Sequence, residues 1–391
     1  MATLAAYAAH ESRSAGRQHT SSDETASDYT EYQRDCARII QCGAFRRLEG
    51  KTRLLVEPDS DSLRSRLTHV LAVAQLGRRL ARTLRLNKDL VEAIALAYDL
   101  GHVPFGQAGR DNLQHCMQPY GSFEHSWQSL RIVDELEESY PLFRGLNLTF
   151  ETREGILRQC TQKQAKLLGS LGSRFLREGM PGPPSLEAQI VELCDEIATN
   201  QHDIEDGLWA RLVSIRQLRE HEIFDQHYTL VTKQLPTVSQ RRVIYETLRR
   251  LLDEQLNNVI TTSHAQLEAI QPKSINEVRA TDEPLISFSA AMYEKHLELK
   301  QFLRTQVYQH YRVRRLAFKV QQIVRRLFDA FNKDPYLLPL EAQIEVQRLQ
   351  SQLGGDFGRA RAIADYLASM TDRYAMAEYE RLFNLAVIKY G

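Results

Sequence analysis

Apolar residues recur at helical spacing along most of this chain, whereas the strict apolar–polar alternation that is typical of β-strands is absent. In the first half, this periodicity predicts helices over residues 30–48, 62–85, 87–100, 151–160 and 186–200, with another beginning near residue 123. After residue 207, it predicts helices over residues 211–225, 238–261, 287–331, 340–354 and 357–370. The chain is therefore predicted to be all-α.

Composition divides the chain into three regions. Residues 1–28 are rich in Ser, Thr, Ala and Gly and show little periodicity, which favours a flexible or partner-docked arm. Residues 29–207 are predicted to form a helical core, interrupted by a glycine- and proline-rich loop over residues 168–185. Residues 208–391 are predicted to form a helical C-terminal region.

Charge and cysteine usage narrow the functional class. The 391 residues include 50 basic and 50 acidic side chains, so a site for an anion has to be local rather than part of a global field. No apolar run approaches the roughly 20 residues that span a bilayer, and the N-terminus lacks the apolar segment of a secretory signal. Five cysteines without paired spacing indicate reduced thiols. We therefore expect a cytoplasmic protein with no membrane contact.

The stretch 95–110 carries polar residues at the end of an apolar helix. Asp99 lies near the end of that helix, and a loop punctuated by glycine and proline is predicted to follow it. His102, Gln107 and Arg110 fall in this predicted loop. An acid at the end of a buried helix, followed by a polar loop, is where we expect a functional site.

Three polar residues lie among apolar positions of three separate predicted helices: His69, Asp99 and Asp195. Each could be a core residue satisfied by its own local partner, which is the more common role of a lone buried histidine. Alternatively, the three side chains meet, because isolated buried polar groups are costly. One divalent ion (Mn, Mg, Fe or Zn) would then satisfy an imidazole and two carboxylates together.

Two groups of basic residues have both a structural and a functional interpretation. In the helix over residues 30–48, Arg34, Arg38, Arg46 and Arg47 form a solvated face, or one or two of them grip phosphates. The other group lies on the helix predicted over residues 287–331, as a solvated face, an interface rim or a contact for a nucleotide or single-stranded nucleic acid. Its members are Arg312, Arg314, Arg315, Lys319, Arg325 and Arg326.

Seven segments, in order along the chain, resemble the dGTPase-like deoxynucleoside triphosphate triphosphohydrolases of the HD-domain superfamily. The resemblance covers nearly the whole chain and implies an all-α HD core with a helical C-terminal part used in oligomers. It also implies a metal-assisted reaction that converts a deoxynucleoside triphosphate (dNTP) to the deoxynucleoside and triphosphate. The segments are TEYQRDCARIIQCGAFRRLEGKTRLL, RLTHVLAVAQLGRRLARTL, NKDLVEAIALAYDLGHVPFGQAG, FEHSWQSLRIV, GLNLTFETREGIL, EAQIVELCDEIATNQHDIEDGL and MTDRYA.

The resemblance makes His69, Asp99 and Asp195 three of the family's four metal ligands. The fourth is expected to be a histidine where this chain has Tyr98. A phenol is neutral near pH 7, because its ordinary pKa is about 10, so it is a poor ligand. Binding of the metal is therefore expected to be weakened or lost.

The family's other site positions are changed in part. A catalytic histidine is expected where Gln107 stands, an acid where Arg110 stands, and a sugar-contacting tyrosine where Thr199 stands. Glutamine does not exchange protons as imidazole does. The resemblance keeps His102 and His125 as loop histidines near the phosphates and therefore as the catalytic candidates.

Three further positions match the family's substrate contacts. Arg47 and Arg66 match basic positions near the phosphates, and Asp203 matches an acid near a sugar hydroxyl. A pocket that binds a nucleotide is therefore expected even where hydrolysis is impaired.

Three hypotheses follow for function. The first is a nucleotide-binding, hydrolytically impaired family member, as a homo-oligomer or as a regulatory partner of an intact paralogue. The second is an active metal-dependent dNTP triphosphohydrolase in which His102 or His125 compensates for the changed positions. The third is a single-stranded nucleic-acid binding module that uses the basic C-terminal helix.

Overall fold

Helices form the whole regular framework of the computed structural model, which describes residues 3–20, 28–54, 64–157, 166 and 183–384. Within those ranges no β-strand occurs, and the β-type pairing is an isolated antiparallel bridge between Thr52 and Ser65. The prediction of an all-α fold is confirmed. Nearly all of the predicted 168–185 loop lies outside the described residues.

The helices are numbered in chain order. Eight precede residue 210: α1 (Glu31–Gln41), α2 (Gly43–Arg47), α3 (Arg66–Thr83), α4 (Lys88–Ala97), α5 (Gly106–Met117), α6 (His125–Arg131), α7 (Phe150–Leu157) and α8 (Leu186–Trp209). The rest are α9 (Ile215–Leu218), α10 (Glu222–Gln234), α11 (Gln240–Ile270), α12 (Ile275–Arg279), α13 (Ala290–Leu303), α14 (Tyr311–Lys333), α15 (Leu340–Leu353), α16 (Gly355–Ser369) and α17 (Asp372–Phe383).

Side-chain caps begin several of these helices where the apolar periodicity starts. Thr30 and Gln33 form a reciprocal capping box at the start of α1. Asn87 accepts hydrogen bonds from the first backbone N–H groups of α4, and Ser185 does the same for α8. Because α4 is apolar on nearly every side, it lies in the centre of the fold, packed against α1, α3, α7 and α8.

The buried apolar residues form two clusters. The larger one joins α1, α3, α4 and α8 to the long C-terminal helices α11 and α13. The smaller one joins α5 to α14 and to the final helices α15–α17. The segment between α4 and α5 therefore runs from one cluster to the other, and it carries the candidate site residues.

Two of the predicted elements that the structure corrects lie at the candidate site. Residues 106–117 form helix α5, although a loop was expected as far as Arg110; Leu113 and Met117 give α5 a buried face that the glycines had obscured. The helix expected over residues 287–331 is broken, because α13 ends at Leu303, a π-helical turn follows, and α14 begins at Tyr311. This break turns Tyr308 towards the site described below.

The described part of the N-terminal arm packs against the core. The Ala9 backbone N–H donates to the Glu187 carboxylate on α8 at 2.9 Å, and Arg17 pairs with Asp35 on α1. One apolar cluster contains residues from both sides of the boundaries proposed after residues 28 and 207. These boundaries stay predictions. In the part of the chain that the structure describes, no helix combines the length and apolar character needed to cross a membrane.

Candidate functional site

The segment between α4 and α5 is held in place by backbone contacts. The Gly101 N–H donates to the Ser129 hydroxyl at 2.8 Å, and a Cβ at this position would lie 2.2 Å from the Ser129 backbone nitrogen, so the close approach requires glycine. At its far end, Phe105 has a left-handed φ of 66°, which is unfavourable for a residue with a side chain. The carboxylate of Asp372 accepts the Phe105 N–H at 2.7 Å and fixes that conformation.

Two of the predicted metal ligands meet, and Tyr98 joins them. One carboxylate oxygen of Asp195, Oδ1, lies 2.9 Å from His69 Nε2 and accepts the Tyr98 hydroxyl at 3.0 Å. The other ring nitrogen of His69, Nδ1, lies 3.0 Å from Nδ1 of His202. These four side chains, His69, Tyr98, Asp195 and His202, form what we call the HD cluster.

The hydrogen bonds of the HD cluster assign its protons. Burial lowers the pKa of His69 and of His202, so both rings are neutral at pH 7 and each carries one N–H. If His69 Nε2–H donates to Asp195, then His69 Nδ1 must accept from His202 Nδ1–H. Both nitrogens of His69 are then in use, and Asp195 Oδ1 has two donors.

The third predicted ligand, Asp99, has a different partner. Its buried carboxylate pairs with the Arg66 guanidinium at 3.1 Å. Among the described residues, no group of three or more His, Cys, Asp or Glu side chains is arranged to hold a metal ion. One oxygen of each expected carboxylate ligand is held by a phenol and an imidazole or by a guanidinium, so this arrangement does not fit a divalent ion unless those contacts rearrange.

The two catalytic candidates lie side by side. The rings of His102 and His125 have their centroids 5.5 Å apart. Burial, together with the positive charge of Arg66, holds the pKa of His102 well below its ordinary value, so His102 is a neutral imidazole at pH 7. A neutral imidazole can accept a proton.

A buried lysine links this segment to the C-terminal region. Lys51 Nζ donates to the backbone carbonyls of His102 and Ala368, the latter at 2.7 Å. Burial and the charge of Arg47 lower the pKa of Lys51 to about 7. Beside it, Asp372 accepts the Thr52 N–H at 3.0 Å. Helices α16 and α17 thus contribute directly to the shape of the site.

The three predicted substrate contacts are placed in different ways. Arg66 lies in the site, paired with Asp99. Arg47 faces Glu137, with 3.6 Å between nitrogen and oxygen. Asp203 is buried and is held by the Arg53 guanidinium and by the Tyr308 hydroxyl, which donates at 3.0 Å.

A cleft of about 660 Å³ opens beside the HD cluster. Arg53, Thr199, Asp203 and Tyr308 line it, and none of the four side chains of the HD cluster does. The other polar residues in its wall come from α5, from α8 and from the stretch that runs from the end of α13 into α14. They include Gln107, Arg110, Asp111, Asn200, Lys300, Arg304, Gln309 and Arg314.

Sequence reasoning missed His202, Arg53, Lys51, Asp372 and Tyr308. The first four lie inside segments that carry the family resemblance, so the motif contained them although no periodicity marked them. Tyr308 lies outside those segments. It is brought to the site by the break between α13 and α14, which helical periodicity alone did not predict.

Several residues of the basic run on α14 have partners within the chain. Arg312 donates to the Ala210 carbonyl at 2.7 Å, Arg325 to the Asn112 side chain at 3.0 Å, and Arg326 to the Tyr379 hydroxyl at 3.0 Å. These contacts favour the structural interpretation for those three arginines. Arg314 instead lines the cleft.

Two protein families match the regions of the chain that contain the candidate site. Residues 66–200 match the HD domain family, and residues 286–381 match the phosphohydrolase-associated domain family. The first match contains His69, Tyr98, Asp99 and Asp195. The second contains Tyr308 and the cleft-lining part of α14.

Full-length relatives are similar along almost the entire chain. A protein of Bordetella parapertussis is 49% identical over 389 residues, which cover 98% of this chain and 97% of the relative. A protein of Ralstonia nicotianae is 49% identical, with 98% and 96% covered, and one of Thiobacillus denitrificans is 47% identical, with 97% of each covered. All three relatives bear the name deoxyguanosinetriphosphate triphosphohydrolase-like protein.

Proposed function

Because the chain belongs to the deoxyguanosinetriphosphate triphosphohydrolase-like family of HD-domain proteins, we propose that it is a nucleotide-binding member in which metal-dependent hydrolysis is impaired. The observation that carries this proposal is the saturation of Asp195 Oδ1 by Tyr98 and His69. The expected ligand is a deoxynucleoside triphosphate.

Binding a metal would require several existing contacts to break. The Tyr98 hydroxyl would have to release Asp195, and His69 would have to lose its proton on Nε2 or its contact with His202. Arg66, which holds Oδ2 of Asp99, would also have to give up that oxygen or share the carboxylate with the ion, whose positive charge it would repel. Each of these steps subtracts from the affinity for a divalent ion, and Tyr98 contributes no compensating charge at pH 7.

Nucleotide binding is supported by the cleft rather than by the HD cluster. The cleft has a volume within the range of small-ligand sites and is lined by several cationic side chains. Arg304 and Arg314 are exposed at its mouth, where guanidinium groups can match phosphate oxygens in pairs. The chain therefore keeps the means to hold a phosphorylated ligand when the metal site is altered.

The test compares the natural chain with Tyr98→His. Metal content after equilibration with Mn²⁺ is measured by elemental analysis, and triphosphate release from dGTP is followed with Mn²⁺ and with Mg²⁺. We expect the natural chain to hold far less than one ion per chain and to release little triphosphate. The Tyr98→His variant should retain more Mn²⁺, because an imidazole replaces a phenol that blocks Asp195. A natural chain that carries one ion and releases triphosphate would contradict the proposal.

One observation favours a second candidate function, an active dNTP triphosphohydrolase. The neighbouring His102 and His125 include an imidazole that is neutral at pH 7 and could move a proton. This candidate requires Asp99 to act in turnover, so Asp99→Ala should abolish activity. Turnover that is unchanged in Asp99→Ala would remove this alternative.

The remaining expectations stay predictions. They are assembly as a homo-oligomer or with an intact paralogue, a cytoplasmic location, and single-stranded nucleic-acid binding by the basic helix. Of these, nucleic-acid binding has the least support, since Arg312, Arg325 and Arg326 are engaged within the chain.

A further inference from the structure

We infer that the cleft binds nucleoside triphosphates through their phosphates without reading the sugar hydroxyls, and that Arg53 is the residue that removes the sugar contact. This inference rests on the proposed nucleotide binding and specifies its ligand class. It concerns the side chains that line the cleft, not the HD cluster.

The carboxylate expected to contact a sugar hydroxyl, Asp203, has a partner on each oxygen. Its Oδ1 accepts from both terminal nitrogens of Arg53, and its Oδ2 accepts from the Tyr308 hydroxyl at 3.0 Å. The side chains of Arg53 and Asp203 are each only 3% exposed. A sugar hydroxyl would therefore have to compete with the Tyr308 hydroxyl at Oδ2, and it would meet a carboxylate whose charge is already neutralised by Arg53 at Oδ1.

Arg53 is itself fixed in this position. Besides Asp203, it donates to the Thr199 backbone carbonyl at 2.9 Å, so the guanidinium is tied to two successive turns of α8. The negative charge of Asp203 is thereby cancelled at the inner end of the cleft. Thr199 adds only a short side chain at the position where the family resemblance implies a sugar-contacting tyrosine.

The other acid in the cleft wall is also engaged. Both carboxylate oxygens of Asp111 lie 3.2 Å from the Gln107 side-chain nitrogen, and Oδ1 lies 3.4 Å from Arg110. Gln107 and Arg110 stand where the family resemblance implies a histidine and an acid. Both cleft acids therefore have partners within the chain, and of the two only Asp203 is buried, so the Arg53–Asp203 pair is the one on which this inference rests.

Arginines at the mouth, in contrast, are available to an anion. Arg304 and Arg314 are exposed, and among the described residues neither forms an ion pair with a carboxylate; Arg314 contacts the neutral side chain of Gln309 at 3.2 Å. Arg304 begins the π-helical turn, Arg314 lies near the start of α14, and both line the same cleft. Two guanidinium groups beside one opening suit a polyphosphate, because each can contact two oxygens.

The test uses the full chain without added metal, titrated by calorimetry with dGTP, GTP, 2′,3′-dideoxy-GTP and inorganic triphosphate. We expect the three nucleotides to bind with dissociation constants within about threefold of one another, since a lost hydrogen bond to a free carboxylate would change affinity roughly tenfold or more. Arg304→Gln and Arg314→Gln should each weaken all four ligands by a similar factor. Arg315→Gln is the matched control, because Arg315 lies on α14, stacks on Tyr311 and does not line the cleft.

Two internal variants test the role of Arg53. Arg53→Gln should introduce a preference for dGTP over the dideoxy analogue of about tenfold, because Asp203 becomes able to accept from the 3′-hydroxyl. Since Arg53→Gln can also destabilise the fold, Asp203→Asn provides an independent measurement: it should leave the ratio of the two affinities unchanged.

The outcomes separate the two claims. A natural chain that prefers dGTP to the dideoxy analogue by tenfold, with the preference lost in Asp203→Asn, would overturn this inference and leave nucleotide binding intact. Absence of binding for every nucleotide and for triphosphate would overturn the proposed function itself, and this inference with it.

Discussion

Arg66 is expected to stabilise the fold as the counter-charge of Asp99. The substitution Arg66→Gln removes the guanidinium that lies 3.1 Å from the buried carboxylate and keeps a polar side chain of moderate length. If the HD cluster is maintained without an ion, this variant leaves a negative charge in the core with no cation beside it. The free energy of unfolding should therefore fall.

The size of the effect follows from the burial of the pair. The Asp99 side chain is 3% exposed and that of Arg66 13% exposed, so solvent screens the interaction weakly. Breaking a buried pair from one side costs about 3–5 kcal/mol, and allowing for partial solvent access to the position of Arg66 gives about 2–3 kcal/mol. Arg78→Gln, on the same helix, is the control. The side chain of Arg78 is 33% exposed and that of its partner Glu92 is 26% exposed, so loss of this pair should cost no more than about 1 kcal/mol.

Urea unfolding at pH 7, followed by far-ultraviolet circular dichroism, measures both variants with and without millimolar Mn²⁺. The ion should raise the unfolding free energy of Arg66→Gln more than that of the natural chain, because a divalent cation can replace the lost charge beside Asp99. A loss of less than about 1 kcal/mol, or a loss equal to that of Arg78→Gln, would refute the assignment of Arg66 as the compensating charge.

Two further predictions concern the packing around the site. Asp365→Asn should lower the unfolding free energy by about 3 kcal/mol at pH 7, since buried Arg131 and Arg361 lose their carboxylate. These arginines hold the pKa of Asp365 below its ordinary value of 3.8, so the stability that Asp365 contributes is present above pH 3.8 and is lost as the pH falls through the lower folded pKa. Urea unfolding of the natural chain and the variant is compared from pH 7 downward. A stability difference between them that disappeared above pH 5 would contradict this assignment. Gly109→Ala should cost about 1–3 kcal/mol in thermal unfolding, because its Cβ would lie 1.8 Å from the Pro104 carbonyl oxygen. Gly355→Ala, with open space around the added methyl group, should change stability by less than about 0.5 kcal/mol; equal effects at the two glycines would be inconsistent with this packing.

The C-terminal region contributes to the site as well as to the fold. Lys51 donates to the carbonyls of His102 and Ala368, and Asp372 accepts from Thr52 and Phe105. These contacts tie the segment after α4 to the last helices. The end of α16 and the start of α17 are therefore joined to the backbone around His102 by hydrogen bonds as well as by apolar packing.

The chain's own pattern determined the all-α class and one contact of the site. Helical periodicity depends on which side of each helix faces the core, so it is readable locally. His69 and Asp195 were expected to meet because buried polar groups require partners, and they do meet. The family resemblance identified Tyr98 as the altered position, and its hydroxyl contacts Asp195.

Only the tertiary structure determined which partner each buried charged side chain has. Asp99 pairs with Arg66, and Asp203 pairs with Arg53, 150 positions away along the chain. Local periodicity carries no information about such distant pairs, because they depend on how α4, α8 and the segment before α3 are brought together. The same holds for Tyr308, which reaches Asp203 only because the helix expected over residues 287–331 is interrupted before α14. The helices are therefore local consequences of side-chain patterning, whereas the character of the site arises from the long-range packing that brings its charges together.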